Sequence, residues 1–151
     1  MEYNSLIKDF AYRTRKNLEL LEERQRTNAD SEYYEVTQLI NSLLGLLVFP
    51  QQRYFELIPT KSIEQLMNEG WPIPQTMGDY QQAADLRELM RYFRNAISHC
   101  NIEFPSDLKN QICGIRVWNL RRGQVTWKAE LPIKDLEKFT KKFISLLIEE
   151  R

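Results

Sequence analysis

Between Ser31 and Pro50 the chain reads SEYYEVTQLINSLLGLLVFP. Val36, Leu39, Ile40, Leu43, Leu44, Leu47 and Val48 recur at helical intervals and leave little polar face. A helix that is apolar nearly all round must be buried. This segment therefore belongs at the centre of the core, and other elements have to be built around it. Asp30 or Ser31 is placed to cap its start, and Pro50 to end it. Its longest unbroken apolar stretch, Leu43 to Phe49, is too short to span a bilayer.

The flanking segments carry the complementary pattern. From Tyr3 to about Arg26, Leu6, Ile7, Phe10, Leu18 and Leu21 recur at helical spacing with charges opposite, which predicts a long amphipathic helix. TKSIEQLMNEG predicts a short helix. WPIPQTMGDYQ, with two prolines and a glycine, reads as a loop, either a plain connector or a flank to a site. A helix is expected from about Tyr80 to His99, and Asn101 to Asn110 is expected to be loop. ICGIRVWNL and QVTWKAEL alternate and are rich in β-branched and aromatic residues, so they predict a β-hairpin with Gly123 in its turn. Pro132 can open a last helix, where Ile133, Leu136, Phe139, Phe143, Leu146 and Leu147 form a stripe. The expected fold is mainly α: a helical bundle with one small β-hairpin before the C-terminal helix. A lone hairpin is marginal, so it must pack on the helices or on a partner. At 151 residues, one domain over 1–151 is expected.

Charge narrows the function. Twenty-one basic residues balance 21 acidic ones, so the molecule as a whole cannot attract a polyanion, and phosphate binding would need a local cluster. Cys100 and Cys113 form no CxxC pair and only one histidine accompanies them, so neither a metal nor another cofactor is expected. The cysteine usage suits a reducing compartment, and the N-terminal segment lacks a signal peptide's apolar run. A cytoplasmic protein without a membrane contact is the expectation. No GxxxxGK[ST], GxGxxG, HExxH or GxSxG pattern occurs.

The only histidine stands in RNAISH, Arg94 to His99, at the end of the predicted motif helix. On a helical projection Leu86, Leu89, Met90, Phe93, Ala96 and Ile97 form the core face. Arg87, Arg91, Arg94 and Ser98 make an adjacent stripe, and Glu88, Tyr92, Asn95 and His99 a third. Arg94 and His99 lie roughly 140° apart on an ideal helix, with Asn95 between them in angle and one turn before His99. A helix that ends at His99, or a second copy of the helix, would close that gap. RNA carries its own nucleophile, the 2′-hydroxyl. Cleaving it needs a base, an acid and cations. Imidazole, with an ordinary pKa of about 6.5, serves as either base or acid. Guanidinium grips phosphate oxygens with two donors, and an amide can orient the imidazole. The plainer alternatives are a histidine favoured at a helix C-terminus, an Arg94 paired with Glu88, and a solvated arginine face. Cys100 as a nucleophile is disfavoured, because adjacent helix positions diverge by about 100°. Arg116, Trp118, Arg121, Arg122 and Trp127 place cations and aromatics on the hairpin, where they would serve core, interface or RNA contact.

RNAISH matches the Rx4-6H signature of the HEPN superfamily (higher eukaryotes and prokaryotes nucleotide-binding domains), at its shortest spacing and with the polar residue that usually follows the arginine. LRELMRYFRNAISHCNIEF resembles that superfamily's motif helix. EVTQLINSLLGLLVFP resembles the apolar helix of a compact bacterial and plasmid-borne subgroup. The likeness covers the helical parts, and the hairpin departs from the minimal bundle. The resemblance implies a metal-independent endoribonuclease acting as a homodimer in toxin–antitoxin or phage-defence systems, where an antitoxin or defence-system partner is possible. It implies catalytic positions at Arg94, Asn95 and His99. Arg87 and Arg91, from the helical stripe, are added as RNA phosphate contacts. The alternatives are a non-catalytic HEPN-type module that binds RNA, nucleotide or protein, and a plain helical dimerisation domain.

Overall fold

The structure is a computed structural model and describes residues 3–27, 35–48, 55–56 and 58–149. The capping positions Asp30 and Ser31 and the terminator Pro50 lie outside the described residues. In chain order the elements are α1 (Tyr3–Thr27), α2 (Glu35–Val48), α3 (Ile63–Asn68), β1 (Gln75–Thr76), α4 (Leu86–Ser98), β2 (Ile102–Glu103), β3 (Gly114–Arg121), β4 (Gln124–Pro132) and α5 (Ile133–Glu149). The fold is mainly α, and among the described residues no helix is long and apolar enough to cross a membrane.

The apolar α2 is central, as its pattern requires. Leu39, Leu43, Leu46 and Leu47 are buried. Around them pack Ala11 and Leu18 of α1, the apolar face of α4, and Leu136, Phe139, Phe143, Ile144 and Leu147 of α5. The face read from α4's spacing is the buried one: Leu86, Leu89, Met90, Phe93, Ala96 and Ile97.

The sheet is larger than the expected single hairpin. It has four antiparallel strands in the order β1-β4-β3-β2. Both segments read as loops contribute a two-residue edge strand: Gln75 and Thr76 pair with Glu130 and Ala129, while Ile102 and Glu103 pair with Val117 and Arg116. The hairpin leaves unpaired N–H and C=O groups on both outer edges, and these short strands satisfy part of them. Strands this short, set among Pro72, Pro74 and Pro105, carry no alternation that a sequence reading can detect. The β3–β4 turn is Arg122–Gly123, both with positive φ (52° and 78°), the conformation of a two-residue type I′ hairpin turn.

One face of the sheet closes the core. Ile115, Val117, Trp127, Ala129 and Leu131 are buried in alternation. Trp127 meets Tyr92 and Phe93 of α4 at ring-centroid distances of 5.0 and 6.2 Å. Phe93 then meets Phe139 at 5.4 Å, and Phe139 meets Trp71 edge-on at 5.3 Å. This aromatic chain joins the sheet, α4 and α5, and aromatic pairs contribute about 0.5–1.5 kcal/mol each beyond their burial.

The motif helix is shorter than the expected span from Tyr80 to His99. It begins at Leu86 rather than near Tyr80, because Asp85 caps it: the Asp85 carboxylate accepts from the Glu88 backbone N–H at 2.9 Å. The Glu88 carboxylate in turn accepts from the Ala84 N–H, and the Leu86 N–H donates to the Lys61 carbonyl. These partners hold the incoming chain extended, so residues 80–85 do not join the helix.

Candidate functional site

The C-terminus of α4 is built by backbone hydrogen bonds. His99 is the C-cap, and its N–H donates to the Asn95 carbonyl at 3.1 Å. Cys100 follows in the left-handed region at φ 56°. Its N–H donates to Ile97 O at 3.0 Å, and the Asn101 N–H donates to Ala96 O at 2.8 Å. That pair of bonds is the Schellman motif, in which glycine is the usual residue at the left-handed position. The helix end is then tied to the sheet. The Trp118 N–H donates to Asn101 O at 3.1 Å, and Asn119 Nδ2 donates to Tyr92 O at 3.3 Å.

These ties leave an open groove of about 610 Å³ between the end of α4 and the tip of the hairpin. Tyr92, Asn95, His99 and Asn101 form the helix wall. Asn119, Leu120, Arg121 and Thr126 form the hairpin wall. A register shift between Asn119 and Leu120 inserts Thr126 as an extra residue on β4, a bulge that aims this part of the strand pair at the groove. Burial, with a hydrogen bond to Glu88 behind it, pushes the Tyr92 phenol above its ordinary pKa, so it stays protonated and donates to Glu88. His99 and Arg121 are both exposed in the groove, and none of its described lining residues carries a carboxylate.

The motif residues are arranged around Asn95. Arg94 donates from Nη2 to Asn95 Oδ1 at 3.1 Å. Its guanidinium stacks over the ring of buried Phe55, 4.7 Å from the centroid. Arg94 is not a lining residue of the groove; it reaches the groove through Asn95, which touches both. Because arginine only donates, Asn95 must present its oxygen to Arg94, which leaves its NH₂ as a donor for the groove.

The arginine stripe divides. Arg87 donates from Nε to Ile58 O at 2.8 Å and from Nη2 to Glu56 O at 2.7 Å. Arg94 and Arg87, two turns apart, thus hold Phe55 and the Glu56 and Ile58 carbonyls respectively. Arg91, between them, is exposed. Asn95 and His99 come together in one groove, Arg94 is linked to it, and Arg87 and Arg91 lie outside its lining.

On the hairpin, Arg116 bridges Glu130 (3.1 Å) and Glu103 (3.2 Å), whose hydrogen bonds, Glu130's first, raise its pKa. Trp127 is core, 2% exposed. Lys128 covers the Trp118 ring at 5.7 Å. Of the hairpin's cations and aromatics, Arg121 alone lines the groove. Asn101, Asn119 and Thr126 had no signal in the sequence, because scattered polar residues gain a common direction only when the hairpin docks. Cys100 and Cys113 are free, exposed thiols, and no group of three His, Cys, Asp or Glu among the described residues is placed to hold a metal ion.

The architecture is thus a mainly α domain whose motif helix ends in an exposed histidine, with the Arg–Asn pair one turn behind it. The family model described as HEPN pEK499 p136 matches residues 1–151, and the chain belongs to that family within the HEPN superfamily. Compared with curated proteins and with solved structures, the chain matches none.

Proposed function

We propose that the protein is a metal-independent endoribonuclease, active as a homodimer in which two α4 termini face one another. The observation that carries this reading is the placement of His99 and Asn95 in a carboxylate-free groove, with Arg94 bonded to Asn95. One His99 takes the proton of the RNA 2′-hydroxyl as its oxygen attacks phosphorus. The imidazolium of the second copy's His99 gives a proton to the departing 5′ oxygen. The products are a 2′,3′-cyclic phosphate and a 5′-hydroxyl. One histidine per chain cannot readily fill both roles, and two chains supply two.

Arg94 stabilises charge on the phosphorane-like transition state, and Asn95 positions Arg94 through the bond to its Oδ1. Arg91 and Arg87 are outer phosphate contacts, Arg87 the lesser because two of its donors already bind backbone carbonyls. An effector of a toxin–antitoxin or phage-defence system, acting in the cytoplasm and restrained by a partner, would use such an activity.

The test is cleavage of an end-labelled structured RNA in EDTA by wild type and His99→Ala. Cutting by wild type alone, with cyclic phosphate ends, supports the reading. Equal cutting by both defeats it. RNA binding without cutting would leave the protein a non-catalytic HEPN module.

A further inference from the structure

The hairpin lies outside the motif helix, yet it contributes half of the groove's lining. We propose that it is the substrate-holding wall: Arg121 binds a phosphate of single-stranded RNA while Asn95 and Asn119 address the edge of an unpaired base. The proposal deepens the nuclease reading and rests on it for the identity of the ligand.

Three observations converge. Arg121 is exposed at the end of β3 and, among the described residues, has no carboxylate partner, whereas Arg116 on the same strand has two. A guanidinium left unpaired beside a histidine, in a groove without carboxylates, is a local anion site on a molecule of zero net charge. Next, the two amides are committed in opposite senses. Arg94 occupies the oxygen of Asn95, leaving its NH₂; Asn119 gives its NH₂ to the Tyr92 carbonyl, leaving its oxygen. The two walls therefore offer one donor and one acceptor, the combination a base edge reads. In an RNA duplex the Watson–Crick edge is engaged by the pairing base and the deep major groove hides the other, so the match is to an unpaired base. Last, the groove of about 610 Å³ has the size of a small-ligand site, enough to take a nucleotide. Leu120, 48% exposed beside Arg121, supplies apolar surface for a base or ribose face.

The test uses a fluorescein-labelled 2′-O-methyl oligonucleotide, which lacks the nucleophile and so reports binding without cleavage. Its duplex is run alongside, and steady-state cutting of the matching RNA is measured separately. Wild type is expected to prefer the single strand. Arg121→Gln should weaken binding roughly tenfold, raise KM with kcat unchanged, and lower the slope of log Kd against log salt by about 0.7, the value for one lost phosphate contact on a single strand. Arg121→Lys should restore most of the salt slope. Lys138→Gln, which removes the same charge from α5, should match wild type.

Unchanged Kd and KM in Arg121→Gln, with cutting intact, would overturn the hairpin's role and leave the nuclease standing. Tighter binding of the duplex would overturn the single-strand assignment. Binding that depends on Arg121 without any cutting would uphold the hairpin wall and defeat the nuclease. A wild type that neither binds nor cuts would defeat both.

Discussion

The groove beside His99 and the lysine face of α5 are both basic, and they are basic in different ways. Lys134, Lys138, Lys141 and Lys142 line a hollow of about 520 Å³ on α5, more cations than the groove holds. Glu137 shares that lining. Lys141 is paired with both Glu22 and Glu137. Lys142 donates to the Glu69 carbonyl at 2.8 Å and lies over the Trp71 ring, while Glu69 itself pairs with Lys61. The groove has only His99 and Arg121, but no carboxylate lines it. An anion responds to charge that remains after internal pairing, not to the number of lysines. What separates the two faces is therefore the carboxylate in the lining, present on α5 and missing from the groove, and not the number of cations.

The largest expected break in this comparison is His99→Ala. Removing the imidazole should lower RNA cleavage by about 10³–10⁴-fold, since it would supply both proton transfers. The melting temperature should hold, because His99 is exposed and its structural contact runs through its backbone N–H. A fall in Tm equal to that of a core variant would make His99 structural.

Arg87→Ala tests the division of the stripe. It deletes two hydrogen bonds to backbone carbonyls and should cost about 1–3 kcal/mol in denaturant unfolding. Arg91→Ala, at an exposed position, should leave stability within about 0.5 kcal/mol and weaken binding of the 2′-O-methyl strand instead. Equal stability losses for the two would dissolve the distinction.

Two helix ends sharpen the comparison further. The C-terminus of α3 makes the same Schellman bonds as that of α4: the Gly70 N–H donates to Met67 O at 2.9 Å and the Trp71 N–H to Leu66 O at 2.9 Å. There the left-handed residue is Gly70, at φ 74°; on α4 it is Cys100, at φ 56°. A side chain in that region costs about 1 kcal/mol, so the strained end is the one that carries His99. Cys100→Gly should raise stability by about 1 kcal/mol, or roughly 2–4 °C in Tm. No rise would mean that the cysteine side chain makes a compensating contact.

The smallest effect is expected on the α5 face. Lys138→Gln should leave cleavage, the salt slope and Tm unchanged, since surface substitutions away from special contacts stay within about 0.5 kcal/mol. A loss of RNA affinity there would erase the contrast between the two faces.

The sequence by itself determined the helices and the faces they bury. Apolar residues at helical spacing marked α1, α2, α4 and α5, and the buried set on α4 is the set read from that spacing. It also marked the hairpin and its Gly123 turn, since alternation and turn chemistry are local. The start of α4 moved from Tyr80 to Leu86 because the hydrogen bonds that the Asp85 and Glu88 carboxylates accept hold the incoming chain out of the helix. The stripe of Arg87, Arg91 and Arg94 was legible as one face, but its meaning was not. Only Phe55, Glu56 and Ile58, some 30 residues earlier in the chain, decided that two of the three would grip protein. The tertiary structure alone decided the groove, because Asn95 and His99 on a helix meet Asn119 and Arg121 on a strand only after Trp127 docks against Tyr92 and Phe93. Periodicity records which way a side chain points along its own element; what stands opposite is set by packing between distant segments, and no local pattern contains it.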